Sequence, residues 1–77
     1  MKTTRYFDRD ARRKHPEVKR EWIERVLAHS SRREVQPDGR IRPWGRIREF
    51  GNLALRVVIL PDGETVHNAF FDRGFRG

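Results

Sequence analysis

The run from residue 40 to residue 50 places cationic side chains at alternate positions around one tryptophan, in the order Arg40, Arg42, Trp44, Arg46 and Arg48. Successive side chains of a β-strand point to opposite faces, so these five share one face and the aliphatic residues between them take the other. Guanidinium groups spaced about 7 Å apart along a strand match the spacing of phosphates along a nucleic-acid strand. An aromatic ring among them can stack on a base, which contributes roughly 1–3 kcal/mol. The run therefore predicts a surface that binds a phosphate backbone.

A purely structural interpretation of the same run stays open. Arginine stems cover apolar surface on a sheet, and Trp44 can pack beneath its arginine neighbours without any ligand. Pro43 and Gly45 are typical of an edge strand or a β-bulge, which would move the side chains beyond it to the other face.

The last hairpin is expected to extend the arginine face. Residues 53–60 form an aliphatic strand whose only charge is Arg56, and residues 61–63, Pro-Asp-Gly, form a tight turn. A three-residue loop pairs Arg56 with Asn68 in the final strand, residues 64–71, and puts Arg56 beside the first run. Arginines side by side repel one another unless an anion lies among them. Such an uncompensated cluster of like charges costs stability, and it therefore indicates a functional surface.

His67 lies in the same hairpin and can exchange a proton near neutral pH. In the predicted register His67 faces the core with Val57, where a histidine has a structural role in core packing. A change of one residue in the loop would turn it to the arginine face, where it could act as a general acid or base. The sequence leaves both placements open.

Two helices are predicted to precede the strands. Residues 9–14 form a short helix with Asp8 as its N-cap, and Pro16 breaks the chain because the residue before a proline disfavours helical geometry. Pro16 can then serve as the first residue of the next helix. Residues 17–29 follow with one apolar stripe, formed by Val18, Trp22, Ile23, Val26 and Leu27. Trp22 is expected to anchor this helix in the core.

The predicted fold class is α+β, with two N-terminal helices packed on one face of a three- to four-stranded antiparallel sheet. Residues 34–36 form a short first strand, residues 37–39 a Pro-Asp-Gly turn, and the arginine run and the last hairpin supply the rest. Helices followed by strands indicate this layered arrangement, which leaves the other sheet face open to solvent or a partner. The length of 77 residues indicates a single domain over residues 1–77.

Composition narrows the function classes. Lys and Arg number 18 against 11 Asp and Glu, a net charge of +7, and all but Lys2, Lys14 and Lys19 are arginine. Arginine binds phosphate with two parallel hydrogen bonds and stacks on bases, which favours a polyanionic partner. The absence of cysteine excludes disulfides and thiolate metal sites, and the three histidines are scattered, so no metal or cofactor is expected. No stretch has the apolar length of a membrane span or a signal peptide, which favours a cytoplasmic protein that makes no membrane contact.

Several loose motifs together resemble a known family. Lys14-His15 follows a short helix, residues 22–27 form the apolar helix, and Trp44-Gly45-Arg46-Ile47 lies in a strand. Residues 55–59 precede a tight turn, and the final strand leads into Asp72-Arg73. Over residues 6–76 the chain resembles the small RelE/ParE-superfamily domains, nearest to the BrnT-like toxins and their uncharacterised relatives.

The resemblance implies a type II toxin–antitoxin function: a hydrolase that cleaves mRNA without metal, in the free or ribosome-associated state, and that binds a cognate acidic antitoxin. It implies that Arg56 and Arg73 hold the scissile phosphate and that His67 is the acid or base. The residues expected to bind RNA are Lys14, His15, Arg40, Arg42, Trp44, Arg46, Arg48, Asn68 and Arg76. The chain departs from the family pattern because no tyrosine follows the last strand and Tyr6 is its only one. A homodimer stays open.

Two other functions also fit these residues. A non-catalytic RNA- or DNA-binding module needs only the arginine face, and its binding would weaken steeply with salt. A basic domain neutralised by an acidic protein partner would use the same charges without any contact to nucleic acid.

Overall fold

The computed structural model describes residues 1–76. The chain begins with a two-residue strand and a helical segment that contains a π-helical turn, and it continues with a second helix and four further strands. In chain order these elements are β1 (Lys2–Thr3), the π-helical turn (Phe7–Ala11), α1 (Arg12–Lys14), α2 (Arg20–Ala28), β2 (Arg32–Val35), β3 (Ile41–Ile47), a 3₁₀ turn (Arg48–Phe50), β4 (Leu53–Ile59) and β5 (Thr65–Phe71).

The strands form one five-stranded sheet in the order β1-β5-β4-β3-β2. Strand β1 runs parallel to β5, and every other neighbouring pair is antiparallel. The predicted α+β class is confirmed, but the prediction of three or four antiparallel strands is wrong because β1 makes the sheet mixed. A strand of two polar residues is too short for an alternation of polar and apolar side chains to show.

The first helical segment begins earlier than predicted. Its helical backbone covers residues 5–14, and Thr4 Oγ1 accepts a hydrogen bond from the Phe7 N–H at 3.1 Å. Asp8, predicted as the N-cap, instead lies inside the π-helical turn, where its carboxylate accepts a hydrogen bond from Thr3 Oγ1 at 2.8 Å. The Thr4 hydroxyl, four residues before Asp8, already satisfies a free N–H of the first turn.

Helix α2 is shorter than predicted, and Pro16 is not its first residue. Lys19 is still extended, with φ −86° and ψ 144°, and the helix starts at Arg20. The proline break between the two helices is confirmed. So is the core position of Trp22, which is buried with Ile23 and Val26.

The core lies between the helices and one face of the sheet. It consists of Phe7, Ala11, Trp22, Ile23, Val26, Ile47, Leu55, Val57, Ile59, Val66 and Ala69. Gly45 lets α2 approach β3 closely, because a Cβ atom at this position would lie only 3.0 Å from Val26 Cγ2. The helices thus cover one face of the sheet, and the opposite face carries the polar side chains of β3, β4 and β5.

The register of the last hairpin differs from the prediction. Arg56 pairs with Phe70, and Asn68 pairs with Val58. The loop is one residue longer than predicted, since the Leu60 N–H donates to the Thr65 carbonyl and residues 61–64 form the turn. The Asp62 carboxylate accepts the backbone N–H groups of Glu64 and Thr65 and so fixes the end of this turn and the start of β5. The register also shifts between Val58 and Ile59, where β5 has an extra residue. His67 lies at this bulge and does not face Val57, which pairs with Ala69.

A candidate polyanion-binding face

A row of three side chains crosses the open face of the sheet. Trp44 in β3 pairs with Arg56 in β4, which pairs with Phe70 in β5. The Cζ atom of Arg56 lies 5.6 Å from the centre of the Trp44 ring and 5.1 Å from the centre of the Phe70 ring. One guanidinium therefore contacts two aromatic rings, an attractive arrangement because the faces of aromatic rings are electronegative.

The charge of Arg56 is only partly compensated. Burial lowers the pKa of Arg56 below its ordinary value, and the nearby charge of Arg42 lowers it further, whereas Asp72 and Glu34 oppose this from a distance. Among residues 1–76 Arg56 forms no ion pair. In the same part of the chain, the Nε atoms of Arg42 and Arg56 are buried without a hydrogen-bond acceptor. A buried donor left without a partner costs about 1–3 kcal/mol.

Trp44 is covered by the segment that follows β5. Its indole N–H donates a hydrogen bond to Asp72 Oδ2 at 3.0 Å, and the ring of Phe75 stacks on it with the centroids 5.2 Å apart. The Arg42 Cζ atom lies 5.8 Å from the centre of the Trp44 ring, and only 6% of Trp44 is exposed. Trp44 therefore shares the arginine face as expected, but its ring is already stacked.

The five residues of the arginine run do not all lie in one strand. Arg42, Trp44 and Arg46 share the open face, and Arg46 donates a hydrogen bond to the Asn52 carbonyl and lies over Phe75. Arg40 precedes β3 and pairs with Asp38 at 3.6 Å. The predicted alternation through Arg48 is wrong, because the strand ends at Ile47 and Arg48 begins the 3₁₀ turn.

A groove lies on this face between the edge strand β2 and the tail after β5. Its volume is about 330 Å³, and it is lined by Arg32, Glu34, Arg42, Trp44, Gly74, Phe75 and Arg76. Glu34 is shared by two arginines, with Arg32 Nη2 at 2.7 Å and Arg42 Nη2 at 3.7 Å. The groove therefore joins three guanidinium groups, one carboxylate and two aromatic rings.

A second cluster surrounds His67 at the end of the sheet where β1 meets β5. The His67 and Tyr6 rings are stacked with centroids 4.9 Å apart, and His67 Nδ1 lies 3.1 Å from Thr4 Oγ1. Lys14 Nζ donates a hydrogen bond to the Tyr6 hydroxyl at 3.5 Å. Three side chains that can exchange protons thus lie in succession, and two of them, Lys14 and His67, were predicted as site residues.

His15 connects the helical side of the molecule with the open face. Its ring lies 5.8 Å from the ring of Phe70, which in turn contacts Arg56. Rings and guanidinium groups therefore follow one another without a break across the sheet, in the order His15, Phe70, Arg56, Trp44, Phe75 and Arg46. Asn68 lies on the same face next to Phe70, with its side chain bonded to the Ala69 N–H.

The three predicted catalytic residues do not converge on one point. Arg56 lies in the aromatic row and His67 beside Tyr6. Arg73 lines a separate depression with Phe50 and Leu53. His67 lies four strand positions before the end of β5 at Phe71, which corresponds to roughly 13 Å, and Arg73 lies in the turn beyond that end.

Phe70 and Phe75 were not expected to take part in the site. A signal for Phe70 was present, because two consecutive phenylalanines in a strand must point to opposite faces. Phe75 lies in a short polar tail, where an aromatic residue between Gly74 and Arg76 indicates a docked segment. Tyr6 gave no signal, because its contact with His67 depends on how β1 and β5 pair.

The site also bears on the classes of ligand. Within residues 1–76, no group of three or more His, Cys, Asp or Glu side chains is arranged to hold a metal ion. In the same residues no helix has the length and apolar character to cross a membrane. No protein-family model, curated protein or solved structure matched the chain when it was compared with them.

Proposed function

We propose that the protein binds single-stranded RNA on the open face of its sheet, where guanidinium groups hold phosphates and neighbouring rings stack on bases. The observation that carries this proposal is Arg56, a partly desolvated cation between Trp44 and Phe70 that has no ion pair among the described residues.

The energetics of this face favour an anionic ligand. Arg42 and Arg56 repel each other, and each has a buried Nε–H without an acceptor within residues 1–76. An apolar residue of similar size at position 56 would avoid both costs. A phosphate would supply acceptors and negative charge to both arginines, and such local conflicts are typical of functional surfaces.

The rings favour nucleic acid over an acidic protein. Pairs of rings alternate with single guanidinium groups along the face, in the order His15 and Phe70, Arg56, Trp44 and Phe75, Arg46. Unpaired bases stack on aromatic rings and on guanidinium planes, and sequence-specific RNA recognition uses such unpaired bases. A surface that binds only carboxylates has no need of this alternation.

The test is a titration of a fluorescently labelled RNA with the protein, in which fluorescence anisotropy measures binding. The RNA has about eight nucleotides, which is within the range of single-strand site sizes. Binding through about three phosphates predicts a slope of log K against log salt near −2. Arg56→Ala should weaken binding by roughly tenfold, the loss of about one phosphate contact at 1.4 kcal/mol. Arg20→Ala is the matched control, because it removes the same charge from α2, on the covered side of the sheet.

Two results would contradict RNA binding at this face. One is an equal loss of affinity in Arg20→Ala and Arg56→Ala, which would show a response to net charge alone. The other is affinity that does not change with salt. A DNA strand of the same sequence is included to show whether ribose contributes.

Metal-independent RNA cleavage is the second candidate function, in line with the resemblance to RelE-like toxins. The observation that favours it is the succession Lys14, Tyr6 and His67. Cleavage needs a base for the ribose 2′-hydroxyl, cations for the phosphate, and an acid for the leaving oxygen. His67 would serve as base or acid, water would take the other of these two roles, so that the proton lost by the 2′-hydroxyl is matched by one gained by the leaving oxygen, and Arg56 would bind the phosphate. In this reading the protein acts in the cytoplasm on mRNA, and a cognate acidic antitoxin neutralises the arginine face.

Incubation of RNA with the purified protein in the presence of a chelator tests cleavage separately from binding. Cleavage that persists with the chelator and disappears in His67→Gln is the expected result. RNA that is bound but stays intact would eliminate the cleavage function and leave RNA binding in place.

A further inference from the structure

The groove beside Trp44 has a charge pattern that differs from the rest of the face. Three guanidinium groups, from Arg32, Arg42 and Arg76, meet one carboxylate, Glu34. Three positive charges and one negative charge leave a net charge of +2. Because Glu34 already pairs with Arg32 and Arg42, it does not balance Arg76.

A terminal phosphate suits this pattern better than an internal one. A phosphodiester inside a strand carries one negative charge. A phosphomonoester carries about −1.5 to −2 at neutral pH and presents three strong acceptor oxygens. That charge matches the net charge of the groove, and three oxygens match three guanidinium groups, which bind phosphate through paired hydrogen bonds.

The size and the walls of the groove indicate what is attached to that phosphate. A volume of about 330 Å³ lies at the lower end of the range for small-molecule sites, about 300–1,000 Å³, which suits one nucleotide. The half-buried ring of Phe75, which stacks on buried Trp44, lines the same space and offers aromatic contact to a base. A phosphoserine side chain carries the same phosphomonoester but has no ring to place against this wall.

We propose that this groove binds the phosphorylated end of an RNA strand, an inference that rests on the proposed RNA binding and specifies which part of the strand is held there. Arg42 and Arg76 bind the terminal phosphate, and the rest of the strand continues across the aromatic row. The shared chemistry is a nucleotide that carries a phosphomonoester, at either the 5′ or the 3′ end.

The experiment compares three RNA strands of one sequence, with a 5′-phosphate, with a 3′-phosphate and with hydroxyls at both ends. We expect one of the phosphorylated strands to bind roughly tenfold more tightly than the hydroxyl strand, the effect of one added charge-assisted contact. Arg76→Ala should abolish this preference without affecting folding, since Arg76 is exposed. Arg42→Lys keeps the charge but loses the paired geometry, and should reduce the preference.

Arg33→Ala is the matched control and should keep the preference for a phosphorylated strand. Arg33 is exposed in β2 between the groove residues Arg32 and Glu34, so its side chain points to the opposite face of the sheet. Equal binding of the three strands would overturn the inference and leave RNA binding intact. Failure of every strand to bind would overturn both. A phosphoserine peptide that binds as tightly as the best RNA strand would assign the groove to a protein partner and overturn the inference.

Discussion

The indole N–H of Trp44 donates a hydrogen bond to the Asp72 carboxylate, across the face of the sheet that the helices leave uncovered. Asp72 also accepts the backbone N–H of Gly74 through its other oxygen. One carboxylate therefore fixes both the ring and the tail that stacks on it. The tail position, and with it the groove, depends on this side chain.

Replacement of Asp72 tests that dependence. Asp72→Ala leaves the indole N–H of buried Trp44 without its acceptor, so we expect the free energy of unfolding to fall by about 1–3 kcal/mol. Asp72→Asn keeps a carbonyl oxygen for the indole and should lose less. Urea denaturation, monitored by tryptophan fluorescence, measures the free energy of unfolding of both variants. Asp10→Ala is the control, because the carboxylate of exposed Asp10 forms no hydrogen bond or ion pair in residues 1–76; a similar loss there would refute the role given to Asp72.

Replacement of Arg56 is expected to lower RNA affinity with little effect on stability. Arg56→Met removes two ring contacts worth about 0.5–1 kcal/mol each, but it also removes a buried unpartnered donor and the repulsion from Arg42. These effects are opposite in sign and similar in size, so the free energy of unfolding should stay within about 1 kcal/mol of the parent. RNA affinity should nevertheless fall. Leu55→Ala, in the same strand but in the core, should cost about 2–5 kcal/mol. A comparable loss in Arg56→Met would mean that Arg56 serves packing.

Gly45 is expected to be intolerant of any side chain. In Gly45→Ala the new Cβ would lie 3.0 Å from Val26 Cγ2, so the buried Val26 side chain or α2 must shift by a few tenths of an ångström, and such overpacking costs about 1–3 kcal/mol. Gly74→Ala is the matched control, since its Cβ would meet Asp72 only at 3.7 Å. Thermal unfolding of the single variants and of Gly45→Ala combined with Val26→Ala completes the test. If Val26 is the obstacle, the double variant loses less than the sum of the two single losses.

The acid side of the stability profile should depend on two exposed carboxylates. Arg25 donates two hydrogen bonds to Glu49 and lowers its pKa from 4.5 to about 2. The Thr65 hydroxyl, with the backbone N–H groups of Thr65 and Glu64, lowers the pKa of Asp62 from 3.8 to about 2. A pKa that is lower in the folded state stabilises the fold above the unfolded value, and this contribution is lost as pH falls through the folded value.

The loss should therefore fall between about pH 4.5 and pH 2. Chemical denaturation across this pH range measures the loss of stability in the parent and in the double variant Glu49→Gln/Asp62→Asn. The double variant should show a smaller decline with acid than the parent, and the difference should shrink at high salt because both carboxylates are exposed. Asp10→Asn should follow the parent. Identical slopes for parent and double variant would contradict the assigned cause.

Most of the fold follows from local patterns in the chain. The apolar stripe of α2, the proline break and the Pro-Asp-Gly turns have local causes, and the structure has each of them. The parity of Arg42, Trp44 and Arg46 also holds, because Pro43 and Gly45 do not interrupt β3.

The features that could not be predicted depend on contacts between residues that are far apart in the sequence. The pairing of β1 with β5 joins residues more than sixty positions apart, and nothing in Lys2–Thr3 indicates it. The bulge at His67 arises from the combined effect of a longer turn and the preference of Val66 for the core. For the same reason, the contact of Tyr6 with His67 and the docking of Phe75 on Trp44 could not be read from local pattern.

The pairing of β1 with β5 also dictates the order in which the molecule can be completed. Lys2 and Thr3 pair with Thr65 and Val66, so β1, which is synthesised before the other four strands, finds its neighbour only after almost every other element exists. Contacts between distant parts of a chain slow folding. The helical segment held by β1 should therefore dock last, and Tyr6 should meet His67 only when synthesis of β5 is finished.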